Sequence, residues 1–406
     1  MAPPESSRPL RVTHVITRLI VGGAQENTVA SVLGLQRKPG LQVDLISGPT
    51  HGPEGSLEPW LEPSPGLLTV VPHLVRSVHP WKDWRALAQL TRIFRAQRPD
   101  FVHTHSGKAG ILGRWAAKHA GVPLVVHTIH GPSFGAFQGA LANRLYTAAE
   151  RFAARHTSHF VSVADAMTQR YLAAGIGRPE QFTRIYSGFP LEPFLHSQND
   201  PRLRARWGLA PEDLVVGKMA RLFKLKGHGD LFVAAPALVK RCPAIKFLLV
   251  GGGPWHDRFK ARARAQGLEK HLVFTGLVPP QELPGLIGIM DAVVHLSRRE
   301  GLPRVLAQAL AAGKPVVAYD CDGAREVCRQ NETGFLVRPG DLAEVTGRLL
   351  QLAEDAALRE RLGRRGREMV CEQFSVERMV DELQGLYFRL AKARQLGSRD
   401  REIGTS

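Results

Sequence analysis

Short apolar runs alternate along this chain with longer stretches in which apolar positions recur at helical spacing. Runs rich in β-branched residues predict buried strands, and the amphipathic stretches between them predict helices. Such an alternation is typical of βαβ units around a parallel sheet. The pattern occurs twice, so we predict an α/β protein with two doubly wound sheets.

The predicted elements fall into two series. In the first half the predicted strands are Val12–Thr17, Val43–Ser47, Leu68–Val71, Phe101–Thr104, Leu124–Thr128 and Phe160–Val163. The helices predicted between them are Ala24–Leu35, Trp84–Ala96, Ala109–His119, Arg144–Ala154 and Ala166–Ala173. In the second half the predicted strands are Leu214–Met219, Lys246–Val250, Val273–Thr275, Ala292–Leu296 and Pro315–Tyr319. The helices predicted there are Leu231–Val239, Arg258–Gln266, Arg304–Ala311 and Leu342–Glu354.

A segment without periodicity separates the two series. From Ser187 to Pro201 the chain is rich in proline, glycine and polar residues, which is typical of a linker. We therefore expect one domain over residues 1–190 and a second over residues 191–374. Two such domains are expected to face a central cleft, with functional residues placed directly after strands.

Composition agrees with a folded protein of this size. The chain has 406 residues, of which 44% are hydrophobic and 22% charged, so global disorder and a fibrous repeat are both excluded. Its 4 cysteines include no Cys-x-x-Cys pair, which argues against a disulfide framework or a zinc finger and favours a reducing compartment. With no apolar run long enough to span a bilayer and no secretory signal pattern, the expected location is the cytoplasm.

The net charge of the protein is unusually high. Lysine and arginine total 54 against 37 acidic residues, a net charge of +17, which indicates an anionic partner. Nucleic acid is disfavoured, because no zinc-finger, RRM or KH signature is present and aromatic residues make up only 7%. A stretch with two tryptophans and five basic residues, from Trp81 to Arg98, is compatible with a helix lying on an anionic membrane surface. It is equally compatible with an ordinary solvated helix. The first reading would place the protein at the inner face of the membrane.

Three motifs carry candidate chemistry. The first strand leads into Gly22-Gly23-Ala24-Gln25-Glu26, where glycines let backbone approach a ligand and a helix start can bind an anion. The strand ending near Ala220 is followed by Arg221 and Lys226, a fork and a point charge that suit a diphosphate. The segment from Glu300 to Leu310 joins a strand to a helix through a short loop with a carboxylate, Gly301 and a proline expected in the first helical turn.

Taken together and in this order, these motifs resemble those of the retaining glycosyltransferases of the GT-B fold, specifically glycosyltransferase family 4. The resemblance covers nearly the whole chain. Its further signatures are His130-Gly131, Lys226-Gly227, Gly251-Gly252-Gly253-Pro254, Gly313-Lys314-Pro315-Val316-Val317 and Thr333-Gly334-Phe335-Leu336-Val337.

The resemblance implies a fold and a set of site residues. The fold is two Rossmann-like domains, an acceptor-binding domain at the N-terminus and a donor-binding domain at the C-terminus, with a last helix within residues 375–395 returning to the first domain. The implied catalytic residues are Glu300, His130, Arg221 and Lys226. The implied donor-binding residues are Gly22, Gly23, Arg221, Lys226, Gly251, Glu300, Gly301, Leu302 and Gln308.

The family also implies what each of these residues does. Arg221 and Lys226 would grip the diphosphate of a nucleotide sugar, expected to be a UDP- or GDP-sugar, while Glu300 and His130 contact the sugar. The ribose would be held by position 308, where the family usually has Glu and this chain has Gln308. An amide offers one accepting oxygen and an NH2 donor instead of a carboxylate, so the pairing survives in altered form.

The implied reaction is the retaining transfer of a hexosyl or N-acetylhexosaminyl unit to a carbohydrate or lipid-linked carbohydrate acceptor, as in cell-surface polysaccharide or glycolipid assembly. No cofactor and no metal are expected. The sequence Asp320-Cys321-Asp322 resembles a metal-binding motif of another glycosyltransferase architecture, but its position favours coincidence. Two alternatives stay open: a non-catalytic nucleotide-sugar-binding protein, suggested by Gln308, and an epimerase or phosphorylase on the same architecture.

The chain also contains a cluster of histidines. His103, His105, His127 and His130 follow or end two neighbouring predicted strands, and four imidazoles could bind a divalent metal. The favoured interpretation is different, because positions three apart on a strand point to opposite faces and no carboxylate joins the cluster. His127 is then a packed structural residue, and His130 is the histidine expected at the donor sugar.

Overall fold

The structure is a computed structural model that describes residues 8–52 and 55–395. Within these residues, strands pair in parallel to form two sheets. The strands are β1 (Leu10–Ile16), β2 (Leu41–Ser47), β3 (Leu68–Val70), β4 (Phe101–His105), β5 (Leu124–Ile129), β6 (His159–Ser162), β7 (Phe182–Arg184), β8 (Leu214–Met219), β9 (Ile245–Val250), β10 (Leu272–Gly276), β11 (Ala292–His295), β12 (Val316–Tyr319) and β13 (Gly334–Val337).

Helices connect nearly all of these strands. They are α1 (Gly23–Gln36), α2 (Pro80–Gln97), α3 (Gly107–Ala120), α4 (Ala140–Ala154), α5 (Asp165–Ala173), α6 (Glu192–Leu195), α7 (Pro201–Arg206), α8 (His228–Arg241), α9 (His256–Ala265), α10 (Leu283–Gly288), α11 (Arg304–Ala311), α12 (Ala324–Val327), α13 (Leu342–Glu354), α14 (Ala356–Gln373) and α15 (Val376–Ala393). Short 3-10 turns lie at Glu58–Leu61, Ala136–Gln138, Pro179–Gln181, Glu269–His271 and Pro280–Glu282.

The α/β prediction is confirmed, and the predicted strands lie at the observed ones with ends that differ by at most two residues. The sequence pattern missed β7 and β13 as strands. β7 has only one apolar residue among its three, and β13 begins with a glycine, a residue that is depleted in strands, so neither gives a strand pattern.

Contacts divide the described residues into two units. The first runs to Phe189 and includes Val376 onward, and the second runs from Pro190 to Ser375. In the first unit the sheet order is β3-β2-β1-β4-β5-β6-β7. Apolar side chains of β1, β4 and β5 pack against α1 and α15 on one face, while α2 and α3 cover the other. The last helix α15 is therefore an integral layer of the first unit.

The second unit repeats the architecture with the order β10-β9-β8-β11-β12-β13. Its core combines side chains of β8, β9, β11 and β12 with α8, α13 and α14. Because strands buried on both faces need apolar residues at successive positions, these strands read as continuous apolar runs in the sequence.

Each sheet has one place where the strand order reverses. In the first unit the order reverses between the paired strands β1 and β4, and in the second between the paired strands β8 and β11. In doubly wound sheets, connections leave a crevice at the carboxyl ends of the strands at this switch point, and ligands bind there. The two switch points are where candidate functional groups should be sought.

Candidate functional site

Lys226 and Glu300 meet at the switch point of the second unit. Lys226 lies in the loop after β8 and Glu300 in the loop after β11, and the Lys226 Nζ donates to Glu300 Oε1 at 2.6 Å. The two side chains are 23% and 16% exposed, so the pair is mostly but not fully removed from solvent. The structure thus brings together the two residues that the sequence assigned to the diphosphate and the sugar.

His295, the last residue of β11, completes this cluster. Its Nε2 lies 3.1 Å from Glu300 Oε1. Burial lowers the pKa of His295, so the ring is neutral and its Nε2–H donates to the carboxylate. Burial by itself would raise the pKa of Glu300, but the Lys226 ammonium and the His295 hydrogen bond outweigh it and hold that pKa well below its usual range. Glu300 is therefore a fixed anion.

The loop that carries Glu300 is held by the segment after β12. Glu300 N donates to Asp322 Oδ2 at 2.8 Å, and Gly323 N donates to Gly301 O at 3.1 Å. Leu302 is only 8% exposed and anchors the loop to the core. Sequence reasoning assigned no role to Asp322; its place after the neighbouring strand was the available signal.

The other half of the Asp320-Cys321-Asp322 motif has a different partner. Both carboxylate oxygens of Asp320 accept from Arg325, at 2.6 and 3.0 Å. The two carboxylates of the motif thus engage a guanidinium and a backbone N–H, respectively.

Backbone packing positions Arg221. Gly251 has φ 137°, and a Cβ there would lie 2.4 Å from Ala220 O. Leu222 N donates to Gly252 O at 2.9 Å, so the two loops run against each other. From the opposite side, His228 Nε2 lies 3.1 Å from Arg221 O. The Arg221 side chain is exposed, with its guanidinium 5.6 Å from the Phe223 ring centre.

The remaining predicted donor residues lie at helix starts or on helices. Gln308 is on α11 and is 8% exposed. Pro303 was expected in the first turn of that helix, but α11 begins at Arg304 and Pro303 occupies the N-cap position, because its φ of -76° and ψ of 88° are not helical. In the first unit, Gly22 is the N-cap of α1, and Gly23 is its first residue.

A buried lysine lies close to this cluster. Lys218, near the end of β8, is 1% exposed, and its Nζ has no hydrogen-bond partner among the described residues. Burial, with a smaller contribution from Lys226, lowers the pKa of Lys218 to about 7. Sequence reasoning missed it, because in an apolar run a lysine near a strand end looks like an edge residue.

At the switch point of the first unit, the structure forms a chain of hydrogen bonds through four histidines. His14 of β1 pairs in register with His103 of β4, which places their side chains next to each other. We call the connected set the histidine chain; its members, in order, are Thr128, His103, Tyr387, His14, His105 and His130. Successive members are linked by distances of 2.6, 2.5, 3.3, 2.9 and 3.0 Å.

Most of the histidine chain is inaccessible to solvent. His14 and His103 are 0% exposed, as is Tyr387 from α15, and His105 is 1% exposed. Burial lowers the pKa of His14 to about 3 and that of His103 and His105 well below its usual range. These three rings are therefore neutral. His130, directly after β5, is partly exposed and forms the outer end of the chain.

The structure does not group the four histidines that were considered from the sequence as an alternative metal site. His127 is bonded instead to Thr104, with 2.9 Å between Nδ1 and Oγ1, and is a packed residue as predicted. The histidines whose nitrogens lie within 4.8 Å of one another are His14, His103 and His105. Sequence reasoning missed His14 and Tyr387, because they lie far along the chain from His103.

The tryptophan-rich segment forms α2. Trp81 and Trp84 are 56% and 59% exposed, and their ring centres are 5.4 Å apart. The opposite side of α2 is buried through Ala86, Leu90 and Phe94. Among residues 8–52 and 55–395, no helix combines the length and the apolar content needed to cross a membrane.

Two family models match the chain. The model described as "Glycosyl transferase 4-like domain" matches residues 22–188, and the model described as "Glycosyl transferases group 1" matches residues 199–369. Between them they account for most of both units.

Relatives of known name agree with these matches. The chain is 28% identical over 321 residues to the UDP-Gal:alpha-D-GlcNAc-diphosphoundecaprenol alpha-1,3-galactosyltransferase of Escherichia coli, a match that covers 78% of this chain and 82% of that protein. It is 28% identical over 325 residues to the 2-deoxystreptamine glucosyltransferase of Streptomyces kanamyceticus, covering 77% and 83%.

The fold has counterparts among solved structures. The crystal structure of Anabaena HepE in complex with UDP-glucose superposes with a TM-score of 0.77 at 22% identity, over 94% of this chain and 100% of that one. At this identity the likeness establishes the fold. With both halves matched and both parallel sheets present, the chain belongs to the glycosyltransferases of the GT-B fold and the family 4 type, whose members transfer a sugar from a nucleotide sugar to an acceptor.

Proposed function

We propose that this glycosyltransferase takes a hexosyl or N-acetylhexosaminyl unit from a UDP- or GDP-sugar and transfers it, with retention of configuration, to a carbohydrate or lipid-linked carbohydrate. The observation that carries the proposal is the Lys226–Glu300 pair at the switch point of the second unit. The name of the Escherichia coli relative supports a lipid-linked acceptor.

Lys226 and Arg221 would bind the donor diphosphate. The Lys226 ammonium has three N–H donors, so it can keep its bond to Glu300 and donate to a phosphate oxygen. Arg221 is exposed in the same loop and adds a planar fork. As the diphosphate leaves, its negative charge grows, and fixed cations stabilise that charge more than they stabilise the bound donor.

In the proposed reaction the bond between the anomeric carbon and the diphosphate oxygen breaks. The acceptor hydroxyl attacks that carbon from the same face, and its proton passes to a phosphate oxygen of the donor. The enzyme contributes positioning and electrostatics. Glu300, as a fixed anion, and His130 orient the sugar through its hydroxyls, and Gln308 holds the ribose.

The glycines expected at the site are assigned to the donor as well. Gly22 and Gly23 at the start of α1, and Gly251 beside Arg221, would let backbone approach the donor. The first unit would bind the acceptor and the second the nucleotide sugar.

We further propose that catalysis needs no metal ion. In support, Asp320 is paired with Arg325 and Asp322 with a backbone N–H. The proposed location is the cytoplasm, with the exposed Trp81 and Trp84 of α2 as the contact to the inner face of an anionic membrane. Sedimentation with anionic vesicles at low salt would test that contact.

The reaction is tested by removing one cation and keeping its neighbour. Lys226→Ala should lower the turnover of both sugar transfer and donor hydrolysis about 10²–10³-fold, the effect of removing one donor that stabilises transition-state charge. Lys224→Ala, in the same loop, is exposed and serves as the matched control. Near-normal turnover of Lys226→Ala would contradict the assignment, and NMR of the product's anomeric proton tests retention.

Gln308 leaves one other function open. If the wild type binds a nucleotide sugar but transfers nothing to any acceptor, and Gln308→Glu restores transfer, the natural protein is a nucleotide-sugar-binding protein. The proposed function expects transfer by the wild type, with Gln308→Glu changing donor affinity by about one hydrogen bond, on the order of 1 kcal/mol.

A further inference from the structure

The hydrogen bonds of the histidine chain depend on one another in direction. A neutral imidazole has one N–H donor and one accepting nitrogen, and a phenol has one proton to donate. Each of the inner members, which are His103, Tyr387, His14 and His105, is hydrogen-bonded to a neighbour on both sides. The direction of one hydrogen bond therefore fixes the direction of the next.

With neutral rings only two arrangements satisfy every bond and also give the Tyr387 O–H an acceptor within the histidine chain. If Thr128 donates to His103, each histidine in turn carries its proton on Nδ1, including His130. If the direction is reversed, all four histidines carry the proton on Nε2, and His103 donates to Thr128. A mixed arrangement would leave two donors or two acceptors facing each other in a buried core, or would make Tyr387 accept from both His103 and His14 and leave its own buried O–H without an acceptor in the histidine chain. Either defect is costly.

The distances around Tyr387 choose between the two arrangements. Its hydroxyl lies 2.5 Å from His103 Nδ1 and 3.3 Å from His14 Nε2. A phenol is a stronger proton donor than the N–H of a neutral imidazole, and O–H donors form the shorter hydrogen bonds. His103 can accept from only one of its two hydroxyl neighbours, Tyr387 at 2.5 Å and Thr128 at 2.6 Å, and the phenol is the stronger donor of the two. Tyr387 thus donates to His103 and accepts from His14. That direction assigns the Nε2–H tautomer throughout.

We propose that the histidine chain is a positioning device for His130: Tyr387, His14 and His105 hold its Nε2–H inward and so make Nδ1 the hydrogen-bond acceptor of that ring. The role of this acceptor, taking a hydrogen bond from a hydroxyl of the donor sugar, rests on the proposed function. The bonding order itself does not. Residues on α15 and β1 would then influence the donor sugar without contacting it.

The same atoms could be considered for a metal ion, since the nitrogens of His14, His103 and His105 lie within 4.8 Å of one another. However, both ring nitrogens of each of these histidines already lie within hydrogen-bond distance of a chain member. A metal would have to displace protons from the bonds that satisfy them. Zn²⁺ titration is therefore included in the test.

The first experiment reads the tautomers directly. Protein labelled with ¹⁵N at histidine is examined by long-range ¹H–¹⁵N correlation, and single histidine variants assign the signals. We expect the signals of His14, His103, His105 and His130 all to show the Nε2–H form. Nδ1–H forms, mixed forms, or stoichiometric binding of Zn²⁺ that His103→Gln abolishes would overturn the proposal. This readout does not require activity.

The second experiment breaks the chain at Tyr387. Tyr387→Phe keeps the ring that packs 5.1 Å from Phe101 and removes only the hydroxyl. Without that hydroxyl, His14 Nε2–H has no acceptor, so the direction of the bonds from His14 through His105 to His130 is no longer fixed. His130 should then show both tautomers. The value of kcat/KM should fall about 5–10-fold, mainly through the KM for the donor, as expected for one hydrogen bond.

A double-mutant cycle separates positioning from general damage. In a His130→Ala background, Tyr387→Phe should have no further effect on kcat/KM, because its effect passes through His130. Tyr171→Phe is the matched control, because Tyr171 is a buried tyrosine of the same unit that is bonded to Ser133 and does not belong to the histidine chain. The effect of Tyr171→Phe on kcat/KM should be the same in both backgrounds. An undiminished loss in the His130→Ala background would overturn the proposal. Normal activity of His130→Ala alone would count against the proposed role of His130 and leave the tautomer result standing.

Discussion

The two switch points present opposite solutions to placing polar groups at the end of a sheet. In the first unit the groups are neutral, fully buried and bonded to one another, as in His14 and His105. In the second unit they are charged and partly exposed to solvent, as in Lys226 and Glu300. Burial disfavours charge, so a closed site keeps neutral imidazoles, whereas a site that must bind an anion keeps its cations near solvent.

Buried ionisable side chains in each unit also depart from the pattern of that unit's switch point, and the two units offer contrasting examples. In the first, Arg114 and Glu150 form an ion pair at 2.6 Å with exposures of 0% and 1%. In the second, Lys218 is buried without a hydrogen-bond partner among the described residues. The pair is satisfied and the lysine is not, so their removal should change stability with opposite sign.

The largest expected effect is in the first unit. Arg114→Met leaves the Glu150 carboxylate buried without its cation and should lower the free energy of unfolding by about 3–5 kcal/mol. The measurement is urea unfolding. Arg184→Met, which breaks an exposed pair with Asp165, is the control and should cost at most about 1 kcal/mol. Equal losses in the two variants would mean that burial does not decide the outcome.

The next effect has the opposite sign. Lys218→Met replaces a buried amine by an apolar side chain of similar volume and should raise the free energy of unfolding by about 1–4 kcal/mol at pH 6. Because the folded-state pKa of Lys218 is about 7, below that of a free lysine, wild-type stability should increase as pH rises from about 7 to 10. The variant should lack this increase. A loss of stability at pH 6 would show that the ammonium is stabilised where it lies.

The smallest effect concerns the loop that carries Glu300. Asp322→Ala removes the acceptor of Glu300 N and should lower kcat/KM several-fold, equivalent to about 1 kcal/mol. Asp320→Ala breaks only the pair with Arg325, whose side chain is 65% exposed, and should leave kcat/KM within about 2-fold. EDTA should not change either variant's activity. Restoration of Asp322→Ala by a divalent metal would contradict the metal-independent reading.

The two sites also differ in how far the sequence predicts them. In the second unit the candidate residues lie in short motifs directly after strands, so Arg221, Lys226 and Glu300 could be chosen from the sequence. Asp322 could not be linked to Glu300, because that bond depends on how two neighbouring loops meet. In the first unit the bond between His14 and Tyr387 joins residues 373 positions apart, and only the packing of α15 against the sheet brings them together.

Fold prediction shows the same division. The long apolar and amphipathic stretches determine the α/β alternation, whereas β7, with one apolar residue, and β13, which begins with a glycine, have no strand pattern in the sequence. The order of the strands, and with it each switch point, depends on tertiary packing that no local pattern encodes.

The central claim is that Lys226 and Glu300 mark a nucleotide-sugar site. Thermal unfolding with a panel of UDP- and GDP-sugars tests it most directly, because a ligand that binds only the folded state raises the Tm. At a donor concentration about 100 times the wild-type Kd, the wild type and Lys224→Ala should gain roughly 3–7 °C, and Lys226→Ala, which loses one charge-assisted hydrogen bond to the diphosphate, should gain less than about half as much. Equal stabilisation of Lys226→Ala and the wild type by the same donor would contradict the account.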